Sequence, residues 1–151
     1  MKQLENKVAI ITGGASGIGA ATALLFAAQG AKVIISDISE KSGDEIVAQI
    51  KALSGEAHFI KTDVSNPDDC SHLVTEALSL YNRLDIAFNN AGIGGESNTV
   101  ADMSIEGWNK VISVNLNSVF YCMKYEIEAM IKNGGGVIVN MASILGQVGF
   151  A

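Results

Sequence analysis

A chain of 151 residues, 48% of them hydrophobic, is long enough for one domain with a real core and short of what two full domains need. Its 10 basic and 16 acidic side chains give a net charge of −6, which meets duplex nucleic acid as a repulsive field rather than a basic footprint. No apolar run approaches the ~20 residues of a membrane span, and residues 1–7 lack the apolar stretch of a secretory leader, so a soluble cytoplasmic protein with no membrane or nucleic-acid partner is expected.

Short apolar runs alternate with longer stretches of helical period, the pattern of repeated βαβ units, and the high apolar fraction suits strands covered on both faces. Residues 7–12 read as the first strand and 18–29, rich in Ala and Leu, as the first helix, with Gly30 as its stop. Residues 32–36 form the second strand. Ser39 is placed to cap a helix over 40–53, whose Ile46, Val47 and Ile50 share a face, and Ser54-Gly55 ends it. The third strand covers 57–62, and Asn66 with Pro67 behind it starts a helix that runs to about Leu80. Residues 84–88 form the fourth strand. From Ser104 one long helix is predicted through Trp108, Val111, Ile112, Val119 and Met123 to Lys132, where Gly134-Gly135-Gly136 breaks it. Residues 137–141 form the fifth strand, which sits at a sheet edge, apolar and unpaired; on that ground a further C-terminal portion past residue 151 is expected.

The stretch Thr12-Gly13-Gly14-Ala15-Ser16-Gly17-Ile18-Gly19 lies between the first strand and the first helix. Glycines there allow backbone torsions closed to other residues and let the main chain approach a pyrophosphate, while the helix N-terminus adds free N–H groups and a positive dipole. The gap between Gly13 and Gly17 departs from the G-x-G-x-x-G pattern, and a plain connecting turn is the alternative. Asp37 weighs against that alternative. At the end of the second strand its carboxylate can accept hydrogen bonds from adenosine ribose hydroxyls and repel a 2′-phosphate. Neither Ser16 nor Ile38 offers a positive charge to welcome that phosphate, so NAD is favoured over NADP.

Cys70 and Cys122 are distant in sequence and have no metal-ligand spacing, so both read as reduced, buried thiols, with a disulfide the lesser alternative and no metal site expected. His58 and His72 have no carboxylate or nucleophile at a telling spacing and read as surface or packing residues.

Two separated motifs agree with one another: T-G-x-x-x-G-x-G is met by Thr12, Gly13, Gly17 and Gly19, and N-N-A-G by Asn89-Asn90-Ala91-Gly92. With them the chain resembles the short-chain dehydrogenase/reductase family over nearly its whole length. The resemblance implies an α/β fold, a Rossmann-type doubly wound parallel sheet in three α/β/α layers. Strands run in the order 3-2-1-4-5 in a single NAD-binding domain over residues 1–151. It implies that Gly13, Ser16, Gly17, Ile18 and Gly19 hold the phosphates, with Asp37 and Ile38 at the ribose and Asp63 and Val64 flanking the adenine. Asn90, Ala91 and Gly92 would line the cleft, Asn115 would hold a proton-relay water, and Ser143 would steady the substrate oxygen. Plainer roles stay open beside these: a strand-to-loop turn at Asp63 and Val64, strand-tying amides at Asn89 and Asn90, a helix-bonding amide at Asn115, and a loop serine at Ser143.

The family's Tyr-x-x-x-Lys pair falls past residue 151. Tyr81, Tyr121 and Tyr125 have no Lys four places on and read as packing residues. The reaction implied is hydride transfer between NAD and a small-molecule secondary alcohol or its ketone. A truncated or inactive NAD-binding module is the alternative. By analogy with relatives, a homotetramer joined through the long helix and its successor is expected.

Overall fold

A computed structural model describes residues 2–148. Met1 and residues 149–151 lie outside the described residues, and with them part of the expectations for the leader and for the segment after the fifth strand. Five parallel strands form the sheet: β1 (Val8–Thr12), β2 (Lys32–Asp37), β3 (Glu56–Lys61), β4 (Ile86–Asn89) and β5 (Val137–Asn140). Their order is β3-β2-β1-β4-β5, as expected, so β1 pairs with β2 on one side and β4 on the other. The winding therefore reverses between β1 and β4, and a crevice opens beyond the carboxyl ends of the strands at that reversal.

The helices are α1 (Gly17–Ala28), α2 (Glu40–Ala52), α3 (Pro67–Tyr81), α4 (Ile105–Ile112) and α5 (Ser118–Lys132). Alternation along the strands divides the core. Ile11, Val33 and Ile35 face α1 and α2, meeting Ala23, Ala27, Ile46 and Ile50. Ile10 and Ile34 face the other way, against Leu73 and Ala77 of α3 and Ala129 and Met130 of α5. Each of these fully buried isoleucines contributes about 1.5–3 kcal/mol of apolar burial. The small alanines of α1 bring that helix close to the sheet, which holds its N-terminus against the end of β1.

Two of the helices, α3 and α4, begin on a side-chain cap. Asn66 Oδ1 accepts from the Asp68 amide at 3.0 Å with Pro67 in the first turn, and Ser104 Oγ accepts from the Gly107 amide at 2.9 Å. Ser39 makes no such cap; its hydroxyl donates to Ser42 Oγ at 2.9 Å instead. β4 begins two residues later than its hydropathy indicates. Asp85 is occupied elsewhere: its carboxylate accepts from the Val8 amide at 2.9 Å and from Arg83 Nε at 2.8 Å, with Lys7 at 3.6 Å.

The long helix expected over 104–132 is not continuous. Between α4 and α5 the backbone widens into a π-helical stretch, Ser113–Asn117, centred on Asn115. Apolar periodicity registers a helix on both sides of such a stretch and is blind to the residue that widens it. A 3-10 turn, Ile144–Gly146, follows β5 and was not foreseen.

Candidate active site

The rim of the crevice is built where β1 runs into α1. Gly13 has φ +62°, and a Cβ there would stand 2.9 Å from Ala91 Cα, so any side chain would push the two loops apart. Gly19 is a packing position: a Cβ on it would lie 2.1 Å from the Gly13 carbonyl oxygen.

Thr12, Asn90 and Ala91 lace this loop to the end of β4. Thr12 Oγ1 accepts from the amides of Asn90 (3.0 Å) and Ala91 (3.1 Å). In return, Asn90 Nδ2 donates to the carbonyls of Thr12 (3.0 Å) and Gly13 (3.3 Å). The strand-tying role of Asn90 therefore coexists with a place on the cleft. Asn89 turns inward instead, donating from Nδ2 to Glu126 Oε2 and Asn140 Oδ1, both at 3.0 Å.

Asp37 ends β2 with both carboxylate oxygens engaged by main chain: Oδ2 accepts from Ala15 at 3.2 Å and Oδ1 from Ser39 at 3.0 Å. Each oxygen keeps a further lone pair for a hydroxyl donor. Asp63, past β3, accepts from the Ser65 amide (2.9 Å) and hydroxyl (2.6 Å), a local turn of the plainer kind foreseen for it.

These groups surround a cleft of about 720 Å³. Its wall includes Gly13, Ser16, Gly17, Ile18, Asp37, Ile38, Asp63, Val64, Asn90, Ala91 and Gly92. Gly17 and Asp37 thus share one cavity. Ser36, Thr62, Ser65, Ile93, Lys110, Ser113, Val114 and Met141 also line it and were not singled out in the sequence. Several of these follow directly from strand ends, whereas Lys110, Ser113 and Val114 sit on a helix whose approach to the cleft only tertiary packing sets. Among the described lining residues Lys110 is the one cation, and Asp37 and Asp63 are the carboxylates.

Gly19, Asn115 and Ser143 are not among the lining residues. Asn115 clamps the peptide of Ile93, accepting from its N–H at 2.8 Å and donating to its carbonyl at 2.9 Å. Its amide therefore bonds a cleft loop, not a neighbouring helix. Ser143 lies two residues past Met141, exposed, with Oγ accepting from the Leu145 amide at 3.2 Å.

Behind the wall, Val64, Ala91 and Val114 pack on Cys70 and Cys122. The two free thiols, distant in sequence, stand 3.7 Å apart, and Cys70 Sγ donates onward to the Val64 carbonyl at 3.4 Å. Its bond to Cys70 and its burial push the Cys122 thiol far up, so it stays protonated and inert. Tyr121 and Tyr125 pack against this cluster, and His58 stacks edge-on to Tyr81 with ring centroids 5.8 Å apart. Among the described residues no group of His, Cys, Asp or Glu is arranged to hold a metal ion, and no helix is long and apolar enough to cross a membrane.

A peptide-amide loop at a helix N-terminus, an acid at the second strand's end and an Asn-rich fourth strand end define a class. Residues 7–151 match the family model described as short chain dehydrogenase, and the chain belongs to that family. The family uses NAD or NADP. A cyclohexanol dehydrogenase of Acinetobacter sp. (strain SE19) is 50% identical over 147 residues, 97% of this chain and 59% of the relative. A 3beta-hydroxysteroid dehydrogenase of Mediterraneibacter gnavus is 41% identical over 150 residues, 99% of this chain and 54% of the relative. The crystal structure of a levodione reductase superposes with a TM-score of 0.94 at 35% identity, covering 98% of this chain and 58% of that one. A short chain dehydrogenase from Mycobacterium smegmatis also gives 0.94 at 35% identity, covering 99% and 63%. The fold is the Rossmann-type sheet of those structures, and the chain spans little more than half the length of the relatives it matches.

Proposed function

We propose that this chain is the NAD-binding part of an oxidoreductase that interconverts a secondary alcohol and its ketone. The observation that carries the reading is the shared cavity of the glycine loop and Asp37. The residues present suit a dinucleotide: main-chain amides and the α1 N-terminus for the phosphates, and the anchored Asp37 carboxylate for ribose hydroxyls. Asp37 sets NAD above NADP, because a 2′-phosphate beside it would be repelled. Asp63 and Val64 would flank the adenine, with Asn90, Ala91 and Gly92 along the inner wall.

When bound, the nicotinamide supplies the hydride acceptor or donor. Ser143 accepts from Leu145 through oxygen, which leaves its O–H proton free to hydrogen-bond a substrate oxygen. Asn115 spends one proton and one lone pair on Ile93; the remaining proton and lone pair are what a relay water would use. The similarity to dehydrogenases of cyclic alcohols supports the substrate class. A homotetramer, supported by the exposed apolar side chains Phe120 and Ile131 on α5, and a cytoplasmic location are part of the same proposal.

A second reading, a nucleotide-binding module without catalysis, is favoured by one observation: Ser143 and the three tyrosines are absent from the cleft wall. Calorimetric titration with NAD and NADP, together with an assay for NAD reduction by secondary alcohols, tests both. NAD binding with turnover supports the first reading, and NAD binding without turnover supports the second. Equal affinity for NAD and NADP would sink the role given to Asp37.

A further inference from the structure

We infer that Glu126 is a positioning residue for the cleft: its neutral carboxyl group locks the carboxyl ends of β4 and β5 together behind the wall. The role rests on the nucleotide reading only for its effect on cofactor affinity.

Glu126 points from the middle of α5 into the protein and is fully buried. A buried carboxylate ordinarily needs a cation or several donors, yet among the described residues its bonded partner is the Asn89 amide, Nδ2 to Oε2 at 3.0 Å. The same Nδ2 gives its second proton to Asn140 Oδ1 at 3.0 Å, and Asn140 Nδ2 donates to Met123 Sδ at 3.2 Å. Met123 and Glu126 are three apart on α5 and share a face, so the bonds close a ring from α5 through β4 and β5 back to α5. Asn89 and Asn140 are direct partners in the parallel ladder. Each also stands immediately before a cleft residue, Asn90 and Met141 respectively. The ring therefore holds two separate stretches of the wall.

Proton counting assigns the state of the acid. Both protons of the Asn89 amide are spent, while Asn89 Oδ1 and Glu126 Oε1 are buried without a partner. The cluster has two acceptors to spare and no donor that reaches them: the one amide proton left, the second on Asn140 Nδ2, bonds neither oxygen. A proton on Glu126 is the donor it lacks. Burial lifts the Glu126 carboxyl to about 7, against the opposing pull of the Asn89 amide. The titratable groups on this side of α5 are the Cys122 thiol one turn back, the Tyr121 and Tyr125 phenols beside it and, packed on it from α3, Cys70. β4 and β5 present Asn89 and Asn140 to the ring, neither of which titrates. Because the folded-state value is raised, the neutral form's stabilisation is complete below the ordinary carboxylate value of about 4.3. It is lost as pH rises through about 7.

The test compares the protein with its Glu126→Gln and Glu126→Ala variants, reading NAD affinity and the thermal midpoint across a pH series. Gln carries a permanent donor in the shape of the protonated acid. The unmodified protein is expected to lose roughly tenfold in NAD affinity between about pH 6 and about pH 8.5, each pKa unit of linkage being tenfold. The Gln variant should hold the low-pH affinity throughout, and the Ala variant should bind weakly at every pH. An unchanged pH slope in the Gln variant overturns the assignment, as does a Gln variant no better than Ala. Should the Ala variant not fold, the Gln comparison decides alone. If none of the proteins binds NAD while the midpoint falls with pH in the unmodified protein and stays level in the Gln variant, the nucleotide reading fails and the role of Glu126 stands.

Discussion

The hydroxyl oxygen of Thr12 receives the amide protons of both Asn90 and Ala91, at 3.0 and 3.1 Å, and so stitches the glycine loop to the end of β4. Thr12→Val keeps the shape and removes the acceptor, leaving both amides without their partner. A loss of about 1–3 kcal/mol is expected in urea unfolding. Thr12→Ser should recover most of it, and NAD affinity should follow the same order. A Val variant as stable as the parent would show that the two amides find other acceptors.

Asp37→Ala removes the anchor of the Ala15 amide together with the carboxylate facing the cleft. Charge-assisted hydrogen bonds of this kind are worth about 1.5–3 kcal/mol, so NAD affinity should fall by roughly tenfold or more. NADP should lose far less and could gain, because the repulsion of its 2′-phosphate goes with the carboxylate. Paired titrations of both cofactors read this directly, and a parallel loss for the two would count against selectivity at this position.

Gly19→Ala sets a methyl group 2.1 Å from the Gly13 carbonyl oxygen. Backbone cannot rotate away as a side chain can, so the loop must move, with a cost of at least about 1–3 kcal/mol in thermal or urea unfolding. Gly146→Ala, where nothing crowds the added atom, is the control and should leave stability nearly unchanged.

Acid should loosen the start of the sheet through Asp85. Burial acts to raise this carboxyl, but Arg83, the Val8 amide and Lys7 outweigh it and hold it below the usual value. A depressed folded-state value means that the stabilisation is present above about pH 4, the unfolded carboxylate's range, and disappears as pH falls further. Asp85→Asn should therefore be less stable than the parent near neutrality and converge with it in acid. Unfolding midpoints from about pH 6 down to about pH 2 would expose a constant gap, the result that contradicts this account.

Local chemistry made the first half of the site readable. The glycine loop and Asp37 sit within one βαβ unit, where each residue type answers a backbone or charge requirement of its own segment. Asn89 is legible as a strand-tying amide of the N-N-A-G motif, but its partners Glu126 and Asn140, 37 and 51 residues away, belong to no motif that would name them at that distance. Lys110 was passed over for a similar reason: on α4 it resembles any exposed helical lysine until packing brings it to the cleft. Thr12 belongs to the T-G-x-x-x-G-x-G pattern, yet the task of its hydroxyl depends on a loop far along the chain.

The wide turn at Ser113–Asn117 also sets the phase of everything after it. Taking one residue out of that stretch to restore an ordinary helix would swing the following helix by about 100° about its axis. Glu126 and Cys122 would then be carried off the sheet toward water, and Phe120 and Ile131 would be turned elsewhere. One inserted step thus reconciles two demands on a single rod: an amide aimed at the Ile93 peptide on one side, and an acid and a thiol seated in the interior on the other.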